Sequence, residues 1–306
     1  MTRAVPSTAD LMLKAYQQQT AIPAFNIPYL HMMAPVVRAL RDTQCFALLQ
    51  VARLEWVKFE AGGIQPIYQE YQRVKDERFT RLHLDHLPVI DEDGLHVDYE
   101  AEIGEALHLG YESVMVDASR LSLDENIAVT RKVVAMAHAE GVPVEAELGA
   151  VMGHEDGPMP PYDELFASGK GFTDPEDAQC FVAESGVDWL SVAVGSVHGA
   201  VSKAKRTEKK VEARLSIERL DAIREVVGIP LVLHGGTGIR KEYMIESIKH
   251  GIAKINVGTG IRQPYEQARS TSIEAAQQAV YDATVWMVRD ELELEGSAAI
   301  INPAGA

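Results

Sequence analysis

Apolar positions along the chain follow two periods that alternate. Short β-branched or apolar runs occur at Ile22 to Ile27, Cys45 to Val51, Phe79 to Asp85, Ser113 to Asp117, Val142 to Glu147, Trp189 to Val194, Pro230 to His234 and Ala253 to Val257. Between them lie segments such as DENIAVTRKVVAMAHAEG, in which apolar residues return every three or four positions and Gly141 supplies the stop. SIERLDAIREVVG has the same character, opening on Ser216 as a cap and closing on Gly228. Strand-length runs alternating with helical segments are the mark of βα units around a parallel sheet.

Eight such runs without a Pro/Gly/Ser-rich linker predict an α/β chain folded as one (β/α)8 TIM barrel spanning residues 1–306. A doubly wound open sheet is the competing arrangement. The barrel is favoured by where polar residues fall: Asn26, Asp85 with His86, Asp117, Glu147, His234 and Asn256 all stand at or near the C-terminal ends of the runs. Catalytic groups collect at that face of a barrel. Beyond Arg262, PYEQARSTSIEAAQQAVYDATVWMVRDELELEGSA predicts a C-terminal helical extension with Gly296 as its stop.

Two connections are longer than a turn. Gly149 to Asp174 contains GHEDGPMPP and is either a lid or a surface excursion. Ser202 to Arg214 carries six basic residues against two acidic ones, which reads equally as a solvated helix face or as an anion funnel.

Composition narrows the ligand classes. The 306 residues carry 29 Lys+Arg against 45 Asp+Glu, a net charge of −16, and this field repels nucleic acid and anionic membranes. An anionic ligand must therefore be held by local chemistry. Two cysteines, Cys45 and Cys180, are too few for a disulfide framework and fit a reducing compartment. The segment MTRAVPSTADLMLKAYQQQ has no apolar core with a small-residue cleavage site, and no run approaches the ~20 apolar residues of a membrane span, so a cytoplasmic location is expected.

Three of the ten histidines, His86, His198 and His234, follow predicted strands three, six and seven and would converge on one rim. Three imidazoles with an open fourth position are a usual catalytic zinc arrangement, whereas each alone reads as a core or loop histidine. Asp85, beside His86, could donate or accept a proton. Glu145 and Glu147 are two apart on a strand and share a face, where an unpaired charge is expensive. Glu145 is expected to pair with a buried base. LVLHGGTGI and AKINVGTGIR place glycine loops after strands seven and eight, where barrels often hold a phosphate through backbone N–H groups.

As a set these stretches resemble the class II, metal-dependent fructose-bisphosphate and tagatose-bisphosphate aldolase family. The matching strings are PAFNI, LHLDH, SVMVDAS, ENIAVTRKVVAMAH, VEAELGAVMGHEDG, FTDPEDA, VAVGSVHG, LVLHGGTGI and KINVGT. The resemblance implies His86, His198 and His234 as ligands of a divalent metal, zinc above cobalt or manganese, with Glu147 a fourth ligand or close contact. It implies Asp85 as the proton shuttle on the aldehyde oxygen and Glu155 as the base acting on C1 of dihydroxyacetone phosphate. Gly199, Gly235, Gly236 and Thr237 would cradle the phosphate and a monovalent cation, and Asn256 would contact the donor. Asn26, Lys203, Thr259 and Arg262 complete the expected substrate contacts. Proton loss beside a ketone builds an enediolate whose charge a divalent cation stabilises, so no Schiff-base lysine is needed.

Departures from the family pattern fall on one side. Gly258 and Gly260 stand where polar side chains are usual, Ala52 where a Ser meets the aldehyde carbonyl, Arg120 where His is common, and Ser202 where Lys is usual. Donor and metal residues are kept while acceptor residues change. The expected activity is reversible cleavage of a ketose phosphate to dihydroxyacetone phosphate and an atypical aldehyde. The alternatives are an ordinary fructose- or tagatose-1,6-bisphosphate aldolase and a non-catalytic, chaperone-like aldolase subunit. The resemblance also implies a homodimer or homotetramer, with Tyr281, Trp286 and Met287 either at the interface or packed on the barrel.

Overall fold

The computed structural model describes residues 5–149, 162–196 and 213–303. Eight strands, β1 (Ile22–Asn26), β2 (Ala47–Ala52), β3 (Thr80–Pro88), β4 (Ser113–Asp117), β5 (Val144–Leu148), β6 (Trp189–Val192), β7 (Leu231–Leu233) and β8 (Ile252–Val257), close into a barrel in chain order. All pairings are parallel, and β8 joins β1 through Ile22 opposite Lys254 and Ala24 opposite Asn256. That closure rules out the open sheet: it removes both edges, and helices cover the outside.

Each predicted run overlaps a strand; β4 keeps its predicted ends and the others shift. β3 continues three residues past Asp85, whereas β6 stops at Val192 and β7 stops one residue before His234. Every residue of β1, β2 and β8 is buried, because one face of a barrel strand lines the interior and the other lies under helices. The helix Leu123–Ala139 begins with a capping box in which Ser122 and Glu125 bond each other's backbone N–H groups. The helix Ile217–Val227 is capped by Ser216 and ends on Gly228 at φ 64°, as the sequence indicates.

The C-terminal extension comprises the helices Thr259–Ala268 and Ile273–Trp286, a π turn at Met287–Glu291 and the short helix Ala298–Ile301. Gly296, at φ 80°, separates the last two. The phenol of Tyr281 donates to Asp42 (2.7 Å) and its ring lies under Arg38, while Met287 is buried. Both thus pack against their own chain, and only Trp286 of the three aromatic and sulfur-bearing candidates stays open, at 51% exposure. Among the described residues no helix is long and apolar enough to cross a membrane.

One irregularity decides the chemistry. The β3–β4 register shifts between Leu84 and Leu87, and His86 sits at φ 32°, a left-handed conformation unusual for a side chain other than glycine. Neighbours on a regular strand point to opposite faces. The bulge lets Asp85 and His86 face the same mouth of the barrel.

Candidate active site

Ligand atoms of Asp85, His86 and His234 lie within 4.8 Å of one another, and those of His86, Asp117 and Glu147 form an overlapping group. The imidazoles of His86 and His234 have ring centroids 4.3 Å apart. β3 supplies Asp85 and His86, β4 Asp117, β5 Glu147, and the end of β7 supplies His234.

His234 is oriented from below. Its Nε2 lies 2.9 Å from Oε1 of Glu145, and a carboxylate only accepts, so Nε2 carries the hydrogen and Nδ1 faces the site. Nδ1 then approaches Oε2 of Glu147 to 2.9 Å. Two acceptor atoms at that distance repel unless a proton or a cation lies between them. Burial and the neighbouring His86 oppose protonation of His234, yet the hydrogen bonds to Glu145 and Glu147 outweigh them and raise its pKa. For His86, too, burial works against the charge; Asp85, the hydrogen bond to Asp117 and Glu147 prevail and push its pKa up to about 10. Two imidazoles ringed by three carboxylates fit a borderline divalent cation, which takes neutral nitrogen and anionic oxygen ligands.

Beneath this layer the barrel interior holds a closed ionic cluster. Nζ of Lys254 donates to Oε2 of Glu145 (2.6 Å) and to Nε2 of His83 (3.3 Å), and the Trp189 indole donates to the same Glu145 oxygen (2.8 Å). Lys254 is the buried base expected for Glu145. Burial, with Lys254 beside it, lowers the pKa of His83 to about 3 and keeps it neutral.

Asp85 is buried and accepts from three amides: Asn26 Nδ2 (2.9 Å) and Gln50 Nε2 (3.1 Å) on Oδ2, and Asn256 Nδ2 (3.1 Å) on Oδ1. Burial favours its protonated form, but the positive charges of His86, Lys254 and His234 overcome that and lower its pKa to about 2. Oδ1 of Asn256 and Oε1 of Gln50 are buried with no hydrogen-bond partner among the described residues.

The chain matches the model of the class II fructose-bisphosphate aldolase family over residues 6–298. It belongs to that family. A probable fructose-bisphosphate aldolase of Bacillus subtilis is 34% identical over 256 residues, covering 83% of this chain and 81% of the relative. A fructose-bisphosphate aldolase of Geobacillus stearothermophilus is 33% identical, covering 83% and 80%. The crystal structure of a putative fructose-1,6-bisphosphate aldolase from Coccidioides immitis superposes with a TM-score of 0.75 at 27% identity, covering 95% of this chain and 97% of that one. The YdjI aldolase of Escherichia coli K12 shares the fold at 24% identity, with a TM-score of 0.72, covering 96% and 100%. The chain is accordingly a class II aldolase-type lyase.

For this aldolase family member the expected site divides in three. Asp85, His86, Glu147, His234, Asn26 and Asn256 gather at one mouth of the barrel, as anticipated. His198, Glu155, Gly199 and Lys203 lie outside the described residues, as does most of the basic stretch 203–214. The remaining residues have contacts within the protein. The Gly236 N–H donates to the Asn256 carbonyl (3.2 Å), which joins the β7 and β8 loops. Thr237 Oγ1 likewise accepts from the Gly260 N–H (3.2 Å). Arg262 is held by both carboxylate oxygens of Glu266 at 2.8 Å, so its charge is already matched. Gly235, at φ 72°, and Thr259, which opens the helix after β8, flank these contacts.

Four residues escaped the sequence reading: Gln50, His83, Lys254 and Glu55. Three of them carry a signal: His83 is two residues before Asp85, Lys254 two before Asn256, and Gln50 a polar residue inside an apolar strand, the interior-facing spacing recognised for Glu145 and Glu147. Glu55, on the short helix Arg53–Val57, gives no such signal.

Proposed function

We propose that this protein catalyses reversible aldol cleavage of a ketose phosphate to dihydroxyacetone phosphate and an aldehyde, with the whole chain, 1–306, acting as one barrel domain. The observation that carries the reading is the convergence of His86, His234 and Glu147 beside a buried Asp85 fixed by three amides.

His86, His234 and Glu147, with His198, would hold the divalent ion, zinc before cobalt or manganese. When bound it supplies Lewis-acid stabilisation of charge building on the donor's oxygens. Asp85, ionised in the resting site, takes the proton from the hydroxyl of the carbon that becomes the aldehyde, and the electrons of the breaking carbon–carbon bond pass to the donor half. Glu155 then returns a proton to that donor carbon. In the direction of synthesis each carboxyl does the reverse. Asn256 contacts the donor, and its Oδ1, like Gln50 Oε1, is a buried acceptor without a partner among the described residues. The glycine loops after β7 and β8 receive the donor phosphate, with a monovalent cation beside them.

The acceptor is read as atypical because Ala52, Gly258 and Gly260 carry no polar side chain and Arg262 is matched by Glu266. A homodimer or homotetramer in the cytoplasm, using the face around Trp286, completes the reading. The test is release of dihydroxyacetone phosphate from a panel of ketose mono- and bisphosphates, before and after chelation and metal restoration. Release that chelation abolishes supports the reading. Absence of release from every ketose, with no metal bound, would instead match a non-catalytic subunit, and turnover of fructose 1,6-bisphosphate at ordinary efficiency would sink the atypical acceptor.

A further inference from the structure

The region beside Asp85, between the ends of β8, β1 and β2, contains a buried acid that the reaction above does not use. Glu55 is 8% exposed, and Oε2 of its carboxyl accepts from the Ala52 N–H (2.9 Å) and, at 3.5 Å, from Asn26 Nδ2. The same Asn26 amide donates to Asp85 at 2.9 Å, so one side chain links the proton shuttle to Glu55. Both bonds of Glu55 use Oε2; Oε1 has no partner among the described residues and is not fully enclosed. Capping the Ala52 N–H needs one oxygen only, which leaves the other unexplained by structure alone.

On the Asn26 flank Gly258 leaves room for a methyl group, which would touch Asn26 at 3.6 Å, an ordinary contact. Three arginines of the described residues are matched by carboxylates: Arg262 by Glu266, Arg269 by Glu60, and Arg53 by Asp91 and Glu102. The donor phosphate belongs with the loops after β7 and β8, so the half of the substrate beyond Asp85 extends along Asn26 toward Glu55. A terminal phosphate there would meet the negative charge of the ionised Asp85, whereas a hydroxyl would meet an oxygen able to bond it.

We propose that Glu55 is a specificity-determining residue for the acceptor half, bonding a hydroxyl of a neutral, polyhydroxylated aldehyde and disfavouring an aldehyde phosphorylated at its far end. The inference rests on the aldolase reading above. Burial raises the pKa of Glu55 to about 8, with Asp85 adding to the rise, so at neutral pH the carboxyl carries a hydrogen and can donate as well as accept.

The experiment compares kcat/KM for a ketohexose 1-phosphate and the matching 1,6-bisphosphate in the metal-loaded enzyme, the wild type beside Glu55→Gln and Glu55→Ala. Exchange of the dihydroxyacetone phosphate C1 hydrogen with deuterated solvent, followed by NMR, reports the donor half-reaction without an acceptor. The wild type is expected to favour the monophosphate by about tenfold or more, the worth of one well-placed hydrogen bond. Glu55→Gln keeps an oxygen for the Ala52 N–H and is expected to lower monophosphate kcat/KM about tenfold, mainly through KM, with a much smaller change in exchange. Glu55→Ala should lower it further. A preference for the bisphosphate, or equal losses in cleavage and exchange, overturns the inference while leaving the aldolase reading intact. Absence of exchange in the wild type overturns both.

Discussion

Lys254 and Glu145, 109 residues apart, are joined inside the barrel by a hydrogen-bonded ion pair of 2.6 Å. Burial would raise the pKa of Glu145, but Lys254 and the hydrogen bond from His234 hold it well below the usual carboxylate range. The pair therefore fixes the acceptor that orients His234. Removing one partner leaves an uncompensated buried charge, so Lys254→Met is expected to cost about 3–5 kcal/mol of stability. Thermal and urea unfolding measure this, and Lys254→Met combined with Glu145→Gln should recover part of the loss.

Asp85→Asn keeps the size of the side chain and loses the base. An amide also turns a donor toward Asn26, Gln50 or Asn256, all of which donate to Asp85. Steady-state cleavage is expected to fall about 10²–10⁴-fold, the usual worth of positioned acid–base catalysis. Retention of half the wild-type kcat would remove Asp85 from the proposed role.

The metal-free protein should become less stable as pH rises. His86 has its pKa raised from 6.5 to about 10, so the folded state holds a proton that the unfolded state releases. That contribution is fully present below about pH 6.5 and fades as pH approaches about 10. Melting temperatures of chelator-treated protein between pH 6 and 9 should decline. Metal binding must displace the same proton, so affinity for zinc should rise over this interval with proton release, readable by calorimetry in two buffers.

Two glycines of the phosphate-side loops should respond differently. A Cβ on Gly236 would sit 2.8 Å from Ile255 Cγ2 and 2.9 Å from the Asn256 carbonyl oxygen, which is backbone and cannot swing away. Gly236→Ala is expected to cost about 1–3 kcal/mol, as overpacking does, and to raise KM for the ketose phosphate. At Gly258, where the nearest atom is 3.6 Å away, alanine should change stability by less than about 0.5 kcal/mol. Equal melting temperatures for the two variants would contradict the packing argument.

Much of the site was legible because a barrel displays strand ends on one rim. Asn26, Asp85, His86, Glu147, His234 and Asn256 could be collected from the alternation of runs alone. The glycines of the β7 and β8 loops were legible as glycines, but not in their hydrogen bonds. Whether the Gly236 N–H meets an anion or the Asn256 carbonyl depends on how closely two strands' loops approach. Arg262 similarly reads as a free cation until the next helical turn brings Glu266 against it. Glu55 was invisible, since its burial depends on the fold around a five-residue helix.

By itself the sequence determined the number and order of strands, the caps of helices such as Leu123–Ala139 and Ile217–Val227, and the inventory of imidazoles and carboxylates at one mouth. These follow from side-chain period and local propensity, which are properties of neighbours along the chain. Only the tertiary structure decided that Asp85 and His86 face the same way. That outcome needs the shifted β3–β4 register and the positive φ of His86, and a strand's register is set by the strand beside it. It also decided which charge matches which, because Lys254, His83 and Glu145 interact strongly only once water has been excluded from between them.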